Sequence, residues 1–176
     1  EGPDEYTVMA NISRLGPDTV VVQDLFKRVG LLFNAAGEGI GRIQFPLSGT
    51  VIPPVLNGRL ADGTWVLQIV NPLQQPEEGA PEIYRIDGPI LTWRDGAEAY
   101  DTLFMVPGSE MTWGSIDFEG GSQERAKAVG YGSNTFVGVQ GATVWSTRGD
   151  EFAIEGRDAA GALVRAAEAT IVLAPA

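Results

Sequence analysis

Residues 82–106 have the sequence EIYRIDGPILTWRDGAEAYDTLFMV, and this stretch decides the fold class. Three runs rich in Ile, Tyr, Trp, Thr, Phe and Val are separated by Asp87-Gly88 and Asp95-Gly96. β-Branched and aromatic residues favour strands, and Asp-Gly favours the tight turns that join antiparallel strands. The stretch therefore predicts three antiparallel strands, over 82–86, 90–93 and 100–106.

The same pattern extends through the whole chain, which contains 23 Gly and 11 Pro at short intervals. Further runs predict strands, among them 5–12, 42–52, 65–69, 111–119 and 134–147. Helix is nearly absent from this pattern. The run 124–129 allows one helical turn, and the alanine-rich run 159–169 leads into β-branched residues that favour a strand. A series of roughly nine or ten strands at this spacing is typical of a β-sandwich or a β-barrel.

Composition excludes several classes of function. The chain has 176 residues with neither Cys nor His, so it has no disulfides, thiol nucleophiles, His-based triads or zinc sites built on those ligands. The net charge of −11 argues against binding to nucleic acid, because phosphate binding depends on clustered Lys and Arg. No apolar run approaches the roughly 18 residues that a membrane-spanning helix needs. A single domain over residues 1–176 is expected at this length, since no linker or repeat interrupts the chain.

Aromatic side chains are the most informative feature for function. All four Trp residues lie in predicted strands, and most of the Tyr and Phe residues lie in the same half of the chain. In a closed sheet, inward-facing aromatics can line a cavity for an apolar ligand. They can equally well fill a hydrophobic core, which is the commoner place for such residues.

Three segments resemble the allene oxide cyclase and dirigent barrel superfamily. Residues 23–34 begin with Gln-Asp-Leu-Phe and end with Leu-Phe-Asn, similar to an early strand and turn of that family. Residues 130–141, GYGSNTFVGVQG, resemble its glycine-rich strand-turn-strand element. Residues 167–173, AEATIVL, resemble the closing strand of small bacterial polyketide cyclases, including those that form spirotetronates by cycloaddition. The resemblance implies an all-β fold, a single antiparallel barrel of about eight strands with long loops and an apolar lumen, often dimeric or otherwise oligomeric.

The first functional hypothesis is a cofactor-free cyclase or isomerase. It would fold a linear, apolar, polyketide-like polyene in the lumen and promote ring closure, such as a Diels–Alder cycloaddition. Such a reaction needs no nucleophile, cofactor or metal, only confinement in a reactive geometry and a hydrogen bond to a carbonyl. A hydroxyl or indole N–H could supply that bond. The candidate catalytic residues are Tyr84, Tyr100 and Trp113, and the candidate substrate-binding residues are Trp65, Trp93, Phe104, Phe136 and Trp145.

Two alternatives stay open. The first is a non-catalytic, lipocalin-like carrier of an apolar small molecule, which would need the same lumen. The second is a structural or dirigent-type β-protein that acts through its surface. In each case we expect no nucleic-acid partner and no membrane span, with a homodimer or other homo-oligomer as the working state. A cytoplasmic location is expected, with secretion left open because the chain begins with Glu1 rather than Met.

Overall fold

The computed structural model describes residues 9–47, 53–70, 76, 79, 81–130, 132–148 and 153–168. Every regular element among them is a β-strand. The described residues include no helix, and hence no helix that could cross a membrane. The strands are β1 (Met9–Arg14), β2 (Thr19–Asp24), β3 (Val29–Asn34), β4 (Gly39–Gln44), β5 (Val55–Arg59), β6 (Trp65–Gln68), β7 (Ile83–Tyr84), β8 (Gly88–Trp93), β9 (Asp101–Val106), β10 (Met111–Phe118), β11 (Gly121–Ala128), β12 (Val137–Gln140), β13 (Thr143–Arg148), β14 (Ala153–Arg157) and β15 (Leu163–Glu168).

The strands form four antiparallel sheets. Sheet A has the order β1-β2-β3-β4, and sheet B has the order β5-β6-β8-β9. Sheet C has the order β11-β10-β7, and sheet D has the order β12-β13-β14-β15. Most neighbours follow one another along the chain, as expected where short turns join antiparallel strands. The prediction of an antiparallel all-β protein is confirmed.

Sheet B is buried on both faces, and this arrangement determines where the core lies. Trp65, Val66 and Leu67 follow one another on β6 and are all buried. Trp65 and Leu67 pack against side chains of sheet A, among them Phe45 at the end of β4. Val66 points to the opposite face, where it packs against Val144 and other residues of sheet D. The described residues therefore form two hydrophobic cores, one on each face of sheet B.

Side chains of Asn and Asp stabilise two of the turns between neighbouring strands. Asn34 Oδ1 accepts hydrogen bonds from the backbone N–H groups of Ala36 and Glu38, between β3 and β4. Asp158 Oδ1 accepts equivalent bonds from Ala160 and Ala162, between β14 and β15. Such bonds favour a turn over a continued strand, and so they define where neighbouring strands end.

Three local expectations differ from the structure. The predicted Asp87-Gly88 turn does not join two paired strands, because β7 pairs with β10 whereas β8 pairs with β6 and β9. Residues 124–129, where a helical turn was allowed, lie mainly in β11, which pairs with β10 over eight residue pairs. Residues 134–147 were expected as one strand but contain two, β12 and β13, because the chain turns at Gly141 with a φ of +60°. The predicted strands 5–12 and 42–52 lie partly outside the described residues.

The sheets do not join into a ring within the described ranges. β1 and β5 lie side by side, but they are linked by side chains rather than by a strand ladder: Asn11 Nδ2 and Ser13 Oγ both donate to the carbonyl of Leu56. β12 also lies beside β5, where Gly58 faces Val139 closely. Closure into a single barrel of about eight strands, and its extent over residues 1–176, stay predictions.

Candidate functional site

Tyr84 lies beside a small, partly open cavity where sheets B and C meet. It belongs to the two-residue strand β7, and it pairs with Met111 at the start of β10. The cavity has a volume of about 100 Å³. Its polar lining comes from Gln68, Ser109 and Thr135 as well as Tyr84, and its apolar lining includes Ile69, Ile86, Met111 and Ala126. These residues come from distant parts of the chain, so the cavity exists only in the folded protein.

The Tyr84 hydroxyl is buried without a hydrogen-bond partner among the described residues. Tyr84 is only 7% exposed, and no backbone or side-chain group in those ranges bonds to its oxygen. Burial raises the pKa of this phenol above its usual value of 10.0, so the hydroxyl keeps its proton at neutral pH. More than about 90% of buried polar groups have a partner in folded proteins, and an exception next to a cavity is a candidate binding group.

Close backbone contacts fix the walls of the cavity. A Cβ added to Gly88 would lie 2.6 Å from the carbonyl oxygen of Ile69, and Gly108 faces the carbonyl of Ile86 more closely still. Only glycine allows such an approach without displacing the backbone. Arg85 connects two parts of the wall. Its Nε donates a hydrogen bond to Gly108 O at 2.8 Å, and its Nη2 donates one to Thr135 Oγ1 at 3.3 Å. The cavity is therefore a preformed feature of the fold.

The size and polarity of the cavity limit what it can hold. Pockets for drug-sized ligands measure about 300–1,000 Å³, whereas a cavity of about 150 Å³ accepts a molecule as small as benzene. Asp87 is the one acidic residue among the described residues of the lining, and it disfavours an anion. In the part of the chain that the structure describes, no three acidic side chains come together to hold a metal ion. The geometry therefore suits a compact, neutral molecule.

A second concave surface is an open groove between sheets A and B, with a volume of about 860 Å³. Trp65 and Trp93 contribute to its floor, although both rings are mostly covered. Trp65 Nε1 donates to Asp95 Oδ1 at 2.8 Å, and Trp93 Nε1 donates to Ala97 O at 2.9 Å. The guanidinium of Arg59 lies 4.6 Å from the centre of the Trp65 ring. Both indole N–H groups are therefore occupied within the protein.

The other predicted site residues lie in several different places. Tyr100 packs against the core between sheets A and B, and its hydroxyl donates to Pro46 O at 3.2 Å. Phe104 packs in the core between sheets B and D, with the Arg157 guanidinium 5.1 Å from its ring centre. Trp113 is half-buried on β10, opposite Ala126 of β11.

Phe136 and Trp145 lie on the outside of sheet D. Phe136 is 70% exposed, and Trp145 covers Gly156 of the neighbouring strand, where an added Cβ would lie 2.9 Å from the indole ring. Trp145 and Gly156 lie directly opposite each other on neighbouring strands. Val144, the residue before Trp145, faces the core, so the Trp145 side chain lies on the other face of the sheet. Of the eight predicted site residues, only Trp65 and Trp93 share one of the concave surfaces described above, and Tyr84 lies alone in its cavity.

Sequence analysis did not identify the other polar residues that line the cavity beside Tyr84. Gln68 follows the buried residues of β6, whereas Ser109 and Thr135 lie in loops. Nothing in their local sequence marks them, because their proximity depends on how sheets B and C pack together. Gly88 was interpreted only as part of an Asp-Gly turn, whereas the structure places it at the start of β8.

None of the known protein-family models matches the chain, and no curated protein sequence is significantly similar to it. The observed class is therefore defined by the structure alone: an antiparallel all-β protein with a central sheet buried on both faces and a small cavity at one sheet junction.

Proposed function

We propose that the protein binds a compact, neutral and mainly apolar small molecule in the cavity beside Tyr84. The observation that carries this proposal is the buried Tyr84 hydroxyl, which has no partner among the residues that the structure describes. A ligand with a carbonyl or ether oxygen would accept its hydrogen bond and so remove the cost of burying an unpaired donor. That cost is about 1–3 kcal/mol, which is large relative to the affinity of a small ligand.

The remaining lining supports the same ligand class. Ile69, Ile86 and Met111 offer apolar contact, and Met adapts to ligands of different shape. Gln68, Ser109 and Thr135 could orient a polar edge, since few well-placed polar groups are typical of ligand sites. This proposal corresponds to the non-catalytic carrier of an apolar molecule, but with a smaller ligand than a barrel lumen would take.

Ligand-observed NMR with two matched probes tests the proposal. Cyclopentanone and cyclopentane are similar in size and differ by one hydrogen-bond acceptor. We expect wild-type protein to bind cyclopentanone more tightly than cyclopentane. Tyr84→Phe should weaken the binding of cyclopentanone about fivefold and leave the binding of cyclopentane unchanged. Ala126→Leu, which adds volume to the cavity wall and keeps the hydroxyl, should weaken both probes.

Two outcomes would overturn the proposal. Equal binding of cyclopentanone to wild type and Tyr84→Phe would show that the hydroxyl is not a ligand donor. If Ala126→Leu left the binding of either probe unchanged, the binding site would lie elsewhere. Circular dichroism of each variant distinguishes lost binding from lost folding.

A second candidate is the cofactor-free cyclase or isomerase of the first hypothesis, acting in the groove between sheets A and B. The observation that favours it is the volume of about 860 Å³, which suits a substrate-sized molecule, together with Trp65 and Trp93 in the lining. The cavity at Tyr84 is too small for a linear polyene. The likeness to the allene oxide cyclase superfamily and the cytoplasmic location remain predictions.

Incubation with a linear compound that carries a conjugated diene and an activated alkene tests this candidate. We expect a cyclic isomer of the same mass to form faster than in buffer, as measured by liquid chromatography and mass spectrometry. The same rate with and without protein would exclude cyclase activity on this substrate class.

A further inference from the structure

Sheet D has one face against the core and one face toward solvent. Val144 of β13 packs in the core, so Trp145, the next residue, lies on the other face. Phe136, just before β12, and Ile154 of β14 lie on that side too, and they are 70% and 46% exposed. We call this patch, with Arg165 at its edge, the outer face of sheet D. Exposed apolar residues that form one patch with a polar rim mark binding surfaces.

The indole of Trp145 lies across the sheet instead of standing upright on it. Gly138, Trp145, Gly156 and Arg165 form one row across β12, β13, β14 and β15. A Cβ added to Gly156 would lie 2.9 Å from Cζ3 of Trp145 and 3.1 Å from Cε3, so the six-membered ring covers this glycine. A Cβ added to Gly138 would meet no described atom within 4 Å. The row therefore provides a flat surface beside a partly exposed aromatic ring.

Polar groups surround the two aromatic rings. Thr143 and Thr147 lie two residues before and after Trp145, on the same face of β13. Thr147 Oγ1 accepts a hydrogen bond from the Phe136 N–H at 3.0 Å and keeps its own proton for donation. Arg165 is exposed at the end of the row and adds further N–H donors. No described strand position on this face carries a carboxylate, although the chain has 23 acidic residues.

A sugar ring fits this combination of groups. The face of an aromatic ring is negative, so it attracts the weakly positive C–H bonds on the flat side of a pyranose. The hydroxyl groups of the sugar project from its rim, where the Thr hydroxyls and the Arg165 guanidinium can bond to them. Phe136 and Trp145 are diagonal neighbours on adjacent strands, about 7–8 Å apart at Cα, so one sugar chain can contact both.

Shape and charge select the class of ligand. Sites for small molecules are concave, whereas this face is a flat sheet surface that suits an extended polymer. A β-1,4-linked glycan is an extended ribbon that presents the flat sides of its sugars. The net charge of −11 repels polyanions and a second copy of the chain, but it does not repel a neutral glycan.

We propose that the outer face of sheet D binds a neutral, extended polysaccharide of β-1,4-linked sugars. One sugar stacks on Trp145, and the chain crosses Gly138 to reach Phe136. This site is independent of the cavity beside Tyr84.

Native electrophoresis in gels that contain hydroxyethylcellulose or xyloglucan tests the proposal, because a bound polymer slows the protein. We expect at least one of these polymers to retard wild-type protein. Phe136→Ala removes an exposed ring and should weaken binding about fivefold, whereas Phe118→Ala, at an exposed Phe on β10, should leave it unchanged. Gly138→Val should weaken binding about tenfold, because its side chain would stand beside the indole. Gly39→Val, the same substitution on β4 with no described atom near the added Cβ, is the matched control.

Gly138→Val should fold normally, because Val favours a strand and the position has room for its Cβ. Circular dichroism of each variant checks this. No retardation of wild-type protein by either polymer would overturn the proposal, and so would retardation that Phe136→Ala or Gly138→Val leaves unchanged. A wild-type dimer that Gly138→Val dissociates in sedimentation equilibrium would assign the face to a second copy of the chain and would overturn it as well.

Discussion

The indole N–H of Trp65 donates a 2.8 Å hydrogen bond to Oδ1 of Asp95, from a ring that is only 2% exposed. Asp95 belongs to a predicted Asp-Gly turn, so the turn after β8 also supplies the partner of a buried donor on β6. Arg59 completes the group, with Nη2 3.4 Å from Asp95 Oδ2. The side chain of Asp95 is 61% exposed, so the hydrogen bond contributes more to stability than this ion pair does.

We therefore expect Asp95→Ala to lower the free energy of unfolding by about 1 kcal/mol, because it leaves the buried indole N–H without its acceptor. Asp95→Asn keeps a side-chain oxygen at the same place and should cost less than about 0.5 kcal/mol. Urea unfolding followed by tryptophan fluorescence measures both values. Equal losses in the two variants would show that the charge, and not the acceptor, stabilises this turn.

Gln23 links β2 to the segment that leads into β5. It is only 2% exposed; its Nε2 donates to Pro54 O, and its Oε1 accepts from the backbone N–H of Leu56, both at 2.8 Å. Gln23→Leu keeps a similar size but leaves two buried backbone groups unpaired, so we expect a loss of about 2–4 kcal/mol in urea unfolding. Gln140→Leu, the same substitution at an exposed site on β12, should change stability by less than about 0.5 kcal/mol. A small loss at Gln23 would mean that those groups find other partners.

The fold class could be predicted from local sequence because strand-forming residues and Asp-Gly turns are local signals. The pairing of strands into four sheets could not, because it depends on contacts between distant segments. β11 was missed for a related reason: most of its residues are polar or small, and the strand is defined by its register with β10 rather than by alternation.

The candidate site was less predictable than the fold. Predicted strands were assumed to have one face toward a lumen, whereas Trp65, Val66 and Leu67 are buried together because sheet B is covered on both faces. An uninterrupted apolar run of this kind is typical of a strand with no solvent-facing side. Tyr84 was a candidate by residue type, but its cavity arises from residues that no sequence spacing relates.

Gly161 is expected to be the more sensitive of two turn glycines with similar backbone geometry. Its φ is +82°, and an added Cβ would lie 2.7 Å from the carbonyl oxygen of Leu103 on β9. Gly96 has a φ of +87° with no atom within 4 Å of an added Cβ. We expect Gly96→Ala to cost about 1 kcal/mol from backbone strain, and Gly161→Ala about 3 kcal/mol or more because steric overlap adds to it. Similar losses in thermal and urea unfolding would contradict the close contact with β9.

Tyr100 should make stability depend on pH in the alkaline range. Burial raises the pKa of its phenol to about 12 from 10.0, although the charge of Arg28 opposes this shift. Between pH 10 and 12 the unfolded chain therefore binds fewer protons than the folded chain at this residue, so stability falls as pH rises. The stabilisation is fully present below pH 10 and is lost progressively up to about pH 12. Because the side chain is only half-buried, solvent screening makes the loss smaller than the full shift would imply. We expect Tyr100→Phe to lower the free energy of unfolding by a constant amount, because the hydrogen bond to Pro46 O is lost. The stability of this variant should also decline less steeply with pH over this range. Urea unfolding midpoints at a series of pH values measure the difference, and parallel curves for the two proteins would contradict a raised pKa at Tyr100.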